Sequence, residues 1–275
     1  MTTIKLIIKA VLYKPLFNAL IFLVFLMPGH NVGLAIILLT VIIRLILLPS
    51  SMSATRQQKR MRDLQPEIQE LQAKYKGDKQ RQSQELMAFY KREKINPLGS
   101  CLPLLIQLPI LLILYYVFIN GLNTARFDLL YSFTPRPDFM HTWFLGIDLA
   151  KPDRFILPVI AGILQYFQSR QLMPVTPPKK EGQSPDMQSM VSKQMMYLMP
   201  VFTVLIAGRL PAALPLYWIV TTLFAIGQQW YVFRQKGGNS KSIRQSADKS
   251  TKLLEKGETQ VIKKGDVEVT VRKKS

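Results

Sequence analysis

An arginine interrupts the most apolar stretch of this chain. Arg44 lies within Val32–Pro49, an eighteen-residue run (VGLAIILLTVIIRLILLP) that contains no other charged residue. A run of this length can cross a bilayer core of roughly 30 Å as a helix. An arginine near the middle of such a helix costs roughly 2.5–3.5 kcal/mol to insert. Any fold that the chain adopts must therefore give Arg44 an environment that offsets this cost.

Two environments can do so, and the sequence leaves both open. Arg44 stands only a few residues before the end of the apolar run, so its long side chain can reach the headgroup layer while its methylene stem stays in apolar surroundings. Alternatively, Arg44 faces a wet cavity within a helix bundle. Thr40 lies one turn earlier on the same helical face, and in that case both side chains would line one groove.

The composition indicates an integral membrane protein rather than a soluble globule. Hydrophobic residues make up 48% of the 275 residues, and several apolar runs have spanning length. The formal charge of +19 is concentrated in a few segments, so it reports orientation and partners. One cysteine, Cys101, excludes an internal disulfide, and only His30 and His141 add classical metal ligands. We expect no metal and no cofactor.

Five apolar runs, bounded by charged residues or by proline and glycine, predict membrane-spanning helices. The last two share one apolar stretch, but Gly208, Arg209 and Pro211 interrupt it, which favours two helices joined by a tight turn. The five runs cover about 32–51, 98–119, 154–173, 191–208 and 210–233.

Basic residues predict the orientation of these helices. The segment 54–95 carries eleven Lys or Arg against six acidic residues, and the tail after Phe233 carries twelve against five. The positive-inside rule places both in the cytoplasm, which five spans with an external amino terminus satisfy. The segment 120–153, with four acidic and three basic residues, is then external.

The first thirty residues allow two interpretations. Ala10–Met27 is apolar enough for a signal-like or spanning segment, but Lys5, Lys9, Lys14 and Asn18 favour a helix in the membrane interface. No small-residue cleavage site is present. A spanning segment here would change only the side of the amino terminus, so charge counting does not separate the two interpretations.

The segment 54–96 predicts a helical hairpin in the cytoplasm. Gly77-Asp78 signals its turn, and Pro66 should kink or restart its first helix. A mere connection between two spans needs far fewer residues, so we predict that the hairpin contacts partners. Apolar residues at helical spacing form its first stripe: Met61, Leu64, Ile68, Leu71 and Tyr75.

A specific run, NPLGSCLPLLIQLP (96–109), joins the hairpin to the second span. With it the chain resembles the YidC family of bacterial membrane protein insertases, part of the YidC/Oxa/Alb superfamily. The resemblance covers nearly everything from Tyr13 to Arg234. It continues through IILLTVIIRLILLP (36–49), FILPVIAGILQYFQS (155–169), MMYLMPVF (195–202) and LPAALPLYWIVTTLFAIGQQWYVF (210–233).

The resemblance implies an all-α integral membrane protein. Its five-helix transmembrane core would surround a hydrophilic groove that is open to the cytoplasm and to lipid, with an interfacial N-terminal helix over Tyr13–Leu26 and a cytoplasmic helical hairpin. The predicted segments are an N-terminal helix (1–30), first span (31–53), hairpin (54–96), second span (97–119), external loop (120–153), third span (154–173), cytoplasmic loop (174–190), fourth span (191–208), fifth span (210–233) and a basic disordered tail (234–275).

The resemblance implies which positions of this chain line the groove. The family's groove arginine corresponds to Arg44, the threonine one turn before it to Thr40, and the aromatic pair of the last span to Tyr217 and Trp218. Adjacent helical positions diverge by about 100°, so at most one of the pair lines the groove, and core packing is the alternative for each. Glutamines within the spans are further candidates, with interhelical hydrogen bonding as their alternative: Gln107, Gln165, Gln168, Gln228 and Gln229.

Some features depart from the family pattern. Ala213 stands where the family commonly has glycine before the last span, and Arg209 is an unexpected charge at that turn; both concern the local geometry of the turn. Nothing in the sequence resembles the large periplasmic domain of many Gram-negative members, and no lipid-modifiable cysteine stands near the amino terminus. We expect a short form of the family.

The implied function is insertion of proteins into the bacterial cytoplasmic membrane. Short polar tails would cross through the cationic groove, and apolar helices would leave sideways into lipid. The sequence has no GxxxxGK[ST] loop, no HExxH motif and no recognisable nucleophile triad, so we expect no catalytic residue and no enzyme activity. Two alternatives remain: a chaperone acting only beside the Sec translocon, and a small anion transporter, although no inverted repeat is detectable.

Expected partners are nascent membrane proteins, the Sec translocon, the ribosome and anionic lipids, with a monomer as the working unit. The basic tail has the composition of a disordered segment. Its cations suit ribosomal RNA, whose binding weakens with salt, or anionic headgroups. The alternation of Val267, Val269 and Val271 indicates a strand that needs a partner.

Overall fold

In the computed structural model, the described residues are 9–95, 102–121, 129–173, 187–235, 261–264 and 267–270. They form mostly α-helices, in agreement with the predicted class, and the chain divides into two compact units, Met1–Val232 and Phe233–Ser275. The elements are α1 (Lys14–Leu26), α2 (Val32–Ile46), α3 (Leu48–Asp63), α4 (Gln65–Lys74), α5 (Lys79–Arg92), α6 (Leu102–Gly121), β1 (Trp143–Phe144), β2 (Ile147–Asp148), α7 (Ile156–Leu172), α8 (Met187–Ala207), α9 (Ala213–Arg234), β3 (Val261–Lys264) and β4 (Val267–Thr270).

Helices occupy all five segments that were predicted to span, although their role as spans stays a prediction. Among the described residues, no single helix combines the length and the apolar content needed to cross a bilayer. By those two criteria α2 and α3 pass only as a pair, and they are bent by 70° at the break between them.

This bend falls inside the first predicted span. α2 ends at Ile46, Leu47 links the two helices, and α3 carries Pro49 in its first turn. Proline has no backbone N–H and its ring collides with the carbonyl four residues earlier in a continuous helix, whereas both problems disappear at a helix start. The helix that carries Arg44 therefore ends at Ile46 rather than at about residue 51.

α1 is a short helix that packs into the bundle along one side. Its 13 residues make about 20 Å of helix, less than the ~30 Å apolar core of a bilayer. One side packs against α2 and α6 and the other is exposed. The buried side carries Phe17, Leu20, Ile21 and Val24, and the exposed side carries Phe22, Phe25 and Leu26.

Asn18, on the buried side of α1, holds the loop that follows α6. The residue is 4% exposed, and its amide donates to the carbonyls of Lys14 (2.8 Å) and Leu129 (3.2 Å). Its Oδ1 accepts from the N–H of Tyr131 (2.7 Å) and the hydroxyl of Thr134 (2.9 Å). In the sequence, Asn18 favoured a helix in the membrane interface. In the structure its side chain is buried, and both amide hydrogens and the oxygen are hydrogen-bonded.

The segment 129–153 covers the end of the bundle at which α2 begins. The N–H of Val32 donates to the carbonyl of His141 (3.1 Å), and the N–H of Ala213, at the start of α9, donates to the carbonyl of Leu149 (3.1 Å). β1 and β2 form a small antiparallel hairpin in this segment. The loop therefore ties the first turns of α2 and α9 to one another.

α7 and α8 make the most extensive helix–helix contact among the described residues. Gly162 permits it, since a Cβ there would lie 3.2 Å from the carbonyl oxygen of Pro200 and would meet the Val204 side chain. α8 ends at Ala207 and α9 begins at Ala213, so the predicted break around Gly208–Pro211 is present.

The segment predicted as a hairpin begins with the end of α3 and continues through α4 and α5. α4 starts directly after Leu64 with Pro66 in its first turn, which is where a proline restarts a helix without cost. Gly77 lies in the turn that leads to α5. α4 and α5 are in contact, and each buries one apolar side chain, Ile68 and Phe89 respectively.

The second unit contains the antiparallel strands β3 and β4. Ile262 lies opposite Val269, and Lys263 lies opposite Glu268. The valine alternation predicted a strand in need of a partner, and that partner is β3, in the same tail. These two four-residue strands differ from the predicted disorder. The rest of the predicted tail beyond Gln235 lies outside the described residues.

Replacing Asn18 with leucine should release the loop that follows α6. The Tyr131 N–H and the Thr134 hydroxyl would lose their acceptor in a buried setting, at a cost of roughly 1–3 kcal/mol. We expect a lower Tm in detergent and faster proteolysis at Arg136. Phe22→Leu, on the exposed side of the same helix, is the matched control; equal proteolysis of the two variants would contradict this role of Asn18.

Asp148 should make the loop sensitive to acid. Partial burial opposes ionisation, but hydrogen bonds from Lys151, Thr142 and the Ala150 N–H outweigh it and lower the pKa of this carboxyl. Its contribution is therefore present above the unfolded pKa of about 3.9 and is lost as pH falls through the lower folded value. Because Lys151 is exposed, we expect less than about 1 kcal/mol. Asp148→Asn should lower Tm at pH 6, and the difference from wild type should shrink toward pH 3.

Candidate functional site

Arg44 lies half-buried in the last turn of α2, where an amide rather than a carboxylate meets its charge. Its Nη2 donates to Oε1 of Gln107 on α6 at 3.0 Å. Among the described residues this is its only hydrogen bond, and no Asp or Glu there forms an ion pair with it. A guanidinium has several N–H donors, so most of those on Arg44 stay available for water or a ligand.

Gln107 connects Arg44 to a third helix. Its Nε2 donates to the hydroxyl oxygen of Tyr217 on α9 at 2.8 Å. A guanidinium can only donate, so Oε1 must face Arg44 and the orientation of the amide is determined. Arg44, Gln107 and Tyr217 therefore form one chain of hydrogen bonds across α2, α6 and α9, which we call the Arg44 chain. Each donor polarises the next, and the chain ends in the Tyr217 hydroxyl hydrogen.

The aromatic pair of the last span divides between two environments. Tyr217 is 3% exposed and belongs to the Arg44 chain, whereas Trp218 is partly exposed and makes no hydrogen bond to that chain. This division follows from the helical rotation of about 100° between neighbours.

Thr40 is buried, and its hydroxyl donates to the carbonyl of Ile36 in its own helix at 2.6 Å. Thr40 thus has only acceptor capacity left for a neighbour.

A second polar cluster lies where α3 passes α9. Gln228 on α9 donates through Nε2 to the hydroxyl oxygen of Thr55 (2.9 Å), and its Oε1 lies 3.1 Å from the Ser51 hydroxyl. Ser51 has one hydroxyl hydrogen and two acceptors in reach, the other being the carbonyl of Leu48 (3.0 Å), so it serves one at a time. We call Ser51, Thr55 and Gln228 the Gln228 cluster.

Further bonds fix α3 beside the cluster. Lys59 Nζ donates to the carbonyl of Val232 (3.2 Å), and Arg62 Nη1 donates to the carbonyl of Gln171 at the end of α7 (2.8 Å). The polar helix after the 70° bend is therefore bound along α9 and α7 through four of its own side chains, Ser51, Thr55, Lys59 and Arg62.

One face of α9 joins the two polar groups of the site. Tyr217, Thr221 and Gln228 are four and seven residues apart, so they lie on one side of the helix. Thr221 is buried, and its hydroxyl finds no hydrogen-bond partner within the described part of the chain. Since a buried hydroxyl without a partner is unfavourable, this position suits a water or a polar ligand.

The other predicted glutamines stand apart from the Arg44 chain. Gln165 and Gln168 on α7 are partly exposed and make no hydrogen bond to it. Gln229 is buried, and its Oε1 has no partner among the described residues. Of the five glutamines, the structure thus brings only Gln107 to Arg44, and it places Gln228 in the second cluster.

Sequence reasoning missed Ser51, Thr55 and Thr221. Ser51 and Thr55 are spaced by one helical turn, which places both on the same side of α3. That signal was present, but serine and threonine at this spacing are common on solvated helix faces. Their partner Gln228 lies 177 and 173 residues away in sequence, so no local pattern could pair them.

A double-mutant cycle tests the Gln228 cluster. Gln228→Leu and Thr55→Val each remove one partner of a neutral hydrogen bond, worth about 0.5–1.5 kcal/mol. We expect their effects on the free energy of unfolding in detergent to be less than additive, by about 1 kcal/mol. Gln228→Leu combined with Thr40→Val, which removes a hydroxyl bonded within α2, should be additive; equal coupling in both pairs would contradict a direct bond.

Comparisons with known proteins show to which family the sequence is similar. The model of the family described as 60Kd inner membrane protein matches residues 24–239. A protein of Fusobacterium nucleatum is 35% identical over 206 residues, which cover 74% of this chain and 87% of the relative. One from Clostridium tetani is 38% identical over 203 residues, 73% of this chain and 81% of the relative.

Longer relatives match over a similar share of this chain. A protein of Ectopseudomonas mendocina is 38% identical over 205 residues, which cover 74% of this chain but only 31% of the relative. All three relatives carry the name membrane protein insertase YidC. The family model covers well over half of the 275 residues, including the helices of the Arg44 chain, and the chain therefore belongs to the 60Kd inner membrane protein family.

Proposed function

We propose that the chain is a membrane protein insertase of the bacterial inner membrane, which receives new membrane proteins from the cytoplasmic side and releases their helices into lipid. The names of its relatives support this proposal. The observation that carries it is the Arg44 chain, a cation held among apolar helices by an amide that leaves its charge uncompensated.

The Arg44 chain offers hydrogen-bond donors to a substrate. The open positions of Arg44 are N–H groups, and the chain ends in the hydroxyl hydrogen of Tyr217. Such a site suits groups that accept hydrogen bonds, namely carboxylates and the backbone carbonyls of an extended polar tail. The hydroxyl of Thr221, on the same face of α9, has no partner among the described residues and adds a further polar position.

The strength of this attraction suits transient contact. Opposite charges about 4 Å apart attract by roughly 4 kcal/mol at an effective dielectric constant near 20. That energy offsets part of the cost of desolvating a polar tail, and it is small enough for the tail to leave. A groove that admits water along α2, α6 and α9 would shorten the apolar barrier further.

Partition of the substrate into lipid supplies the larger driving force. Burying apolar surface contributes roughly 25 cal/mol per Å². A membrane potential adds roughly 2.3 kcal/mol for each acidic charge moved outward across 100 mV. Insertion therefore proceeds without nucleotide hydrolysis, and lateral release completes it.

The polar arms of the chain would bring the substrate to this site. The helices α3, α4 and α5 form a basic segment that we assign to the cytoplasm, where it receives substrates or delivery partners such as the Sec translocon. The basic tail would bind ribosomal RNA or anionic lipid, and added salt should weaken either contact.

Insertion into vesicles that hold only this protein tests the proposal. The substrate is a single-span protein with a short acidic tail, and protection of that tail from added protease measures insertion. We expect wild type and Arg44→Lys to insert it, and Arg44→Ala to lose most of the activity. Gln107→Leu should reduce insertion several-fold because Arg44 loses its fixed orientation.

Arg209→Ala is the matched control, since Arg209 is an exposed arginine at the turn between α8 and α9 and lies outside the Arg44 chain. This variant should insert the substrate like wild type. If wild type inserts no more than empty vesicles, the chain does not act alone and the chaperone beside the Sec translocon replaces the proposal. If Arg44→Ala equals wild type, the arginine only reaches the headgroups.

A further inference from the structure

The loop that covers the start of α2 exposes large apolar side chains. Leu145 is 84% exposed, Phe139 is 58% exposed and Trp143 is 53% exposed. We call these three residues the loop apolar surface. They belong to a connecting segment rather than to a predicted span, so the lipid contact expected of spanning helices does not by itself account for them.

Leu145 occupies a turn position that disfavours it. Leu145 and Gly146 form the two-residue turn between β1 and β2, with φ values of +50° and +82°. Turns of this kind normally take Asn, Asp or Gly, because a branched apolar residue is strained at positive φ. Here the strained position carries the most exposed large apolar side chain of the loop. In a turn that faces water, neither the strain nor the exposed apolar side chain would contribute to stability.

The hairpin is fixed to the bundle by its inward residues. Phe144, between Trp143 and Leu145, packs on Gly33 so closely that no Cβ fits there. Asn31 Nδ2 donates to the carbonyl of Trp143 at 3.2 Å. Strand alternation then directs Trp143 away from α2, and Leu145, in the turn that follows, is exposed. Both side chains therefore extend from a base that is fixed to the bundle.

The loop apolar surface continues the exposed apolar sides of two helices. Phe139 packs edge-on against His30 with ring centroids 5.0 Å apart, and His30 lies 5.8 Å from Phe25 on the exposed side of α1. Leu34, next to Gly33, is exposed on α2. Because the chain belongs to a family of inner membrane proteins, we expect these exposed helix sides to contact lipid.

We infer that the β1–β2 turn and Phe139 insert into the interfacial layer of the bilayer at the end where α2 begins. The occupant is lipid, because the surface continues the lipid-facing sides of α1 and α2 and carries a tryptophan, a residue enriched at the membrane interface. Asp148 and Lys151, paired at 3.1 Å at the base of the hairpin, would remain in the aqueous headgroup layer. The inference does not depend on insertase activity.

Spin labelling in vesicles that hold only this protein tests the inference. In a Cys101→Ser background, a nitroxide is placed at Leu145→Cys and, as the matched control, at Ala150→Cys, an exposed position of the same loop near the charged base. Collision with oxygen, which is concentrated in lipid, and with a water-soluble nickel complex gives the environment of each label by electron paramagnetic resonance.

We expect the label at position 145 to collide more with oxygen than with nickel, and the label at position 150 to show the reverse. Native Trp143 provides a reading without a label: in a Trp218→Phe, Trp230→Phe variant, brominated lipids should quench its fluorescence by at least twofold. Water-like collisions at both positions, or no quenching by brominated lipid, would overturn the inference and leave a protein partner as the occupant of this surface.

Discussion

The bundle depends on how it accommodates one guanidinium among apolar helices. A carboxylate partner would neutralise Arg44, whereas the amide of Gln107 satisfies one donor and keeps the positive charge. The same amide donates to Tyr217, so a single side chain on α6 joins α2 to α9. Where apolar contacts provide little directionality, such bonds determine the rotation and register of the helices that carry them.

Other polar atoms in the first unit follow the same rule. Asn18 lies on an apolar helix, yet it bonds to four groups and fixes the loop after α6. Gln228 forms hydrogen bonds to α3 through both the oxygen and the nitrogen of its amide. Because an unpaired polar group in apolar surroundings is costly, each of these residues specifies one arrangement of its neighbours. On α9 the Thr221 hydroxyl and the Gln229 Oε1 are exceptions, since neither has a partner among the described residues. Thr221 lies on the face of Tyr217, which is one reason to place a ligand there.

The sequence predicted which residues are unusual better than it predicted what they touch. Arg44 was recognisable because it is alone in an apolar run, and the family resemblance pointed to Tyr217. Their connection through Gln107 spans sequence separations of 63 and 110 residues, which periodicity does not report. Periodicity gives the face of a helix, while the partner of that face follows only from the packing of the whole bundle.

The direction of the chain beyond a helix end also could not be predicted from local sequence. Pro49 marked the end of the apolar run, but the direction of the chain beyond it depends on bonds from α3 to α9 and α7 that lie far away in sequence. The valine alternation in the tail indicated a strand, and its partner, β3, contains too few apolar residues to have been predicted alone.

The corner between α2 and α3 is hydrogen-bonded on both sides. The N–H of Leu47 donates to the carbonyl of Ile43 (3.0 Å), and the N–H of Ser51 donates to the carbonyl of Leu47 (2.9 Å). The two helices therefore meet at a corner that hydrogen bonds fix, rather than at a flexible hinge. Arg44 lies in the last turn before this corner. A change in the direction of α3 would therefore act on the turn that carries the guanidinium. A force on α3 would therefore reach the guanidinium through the hydrogen-bonded corner.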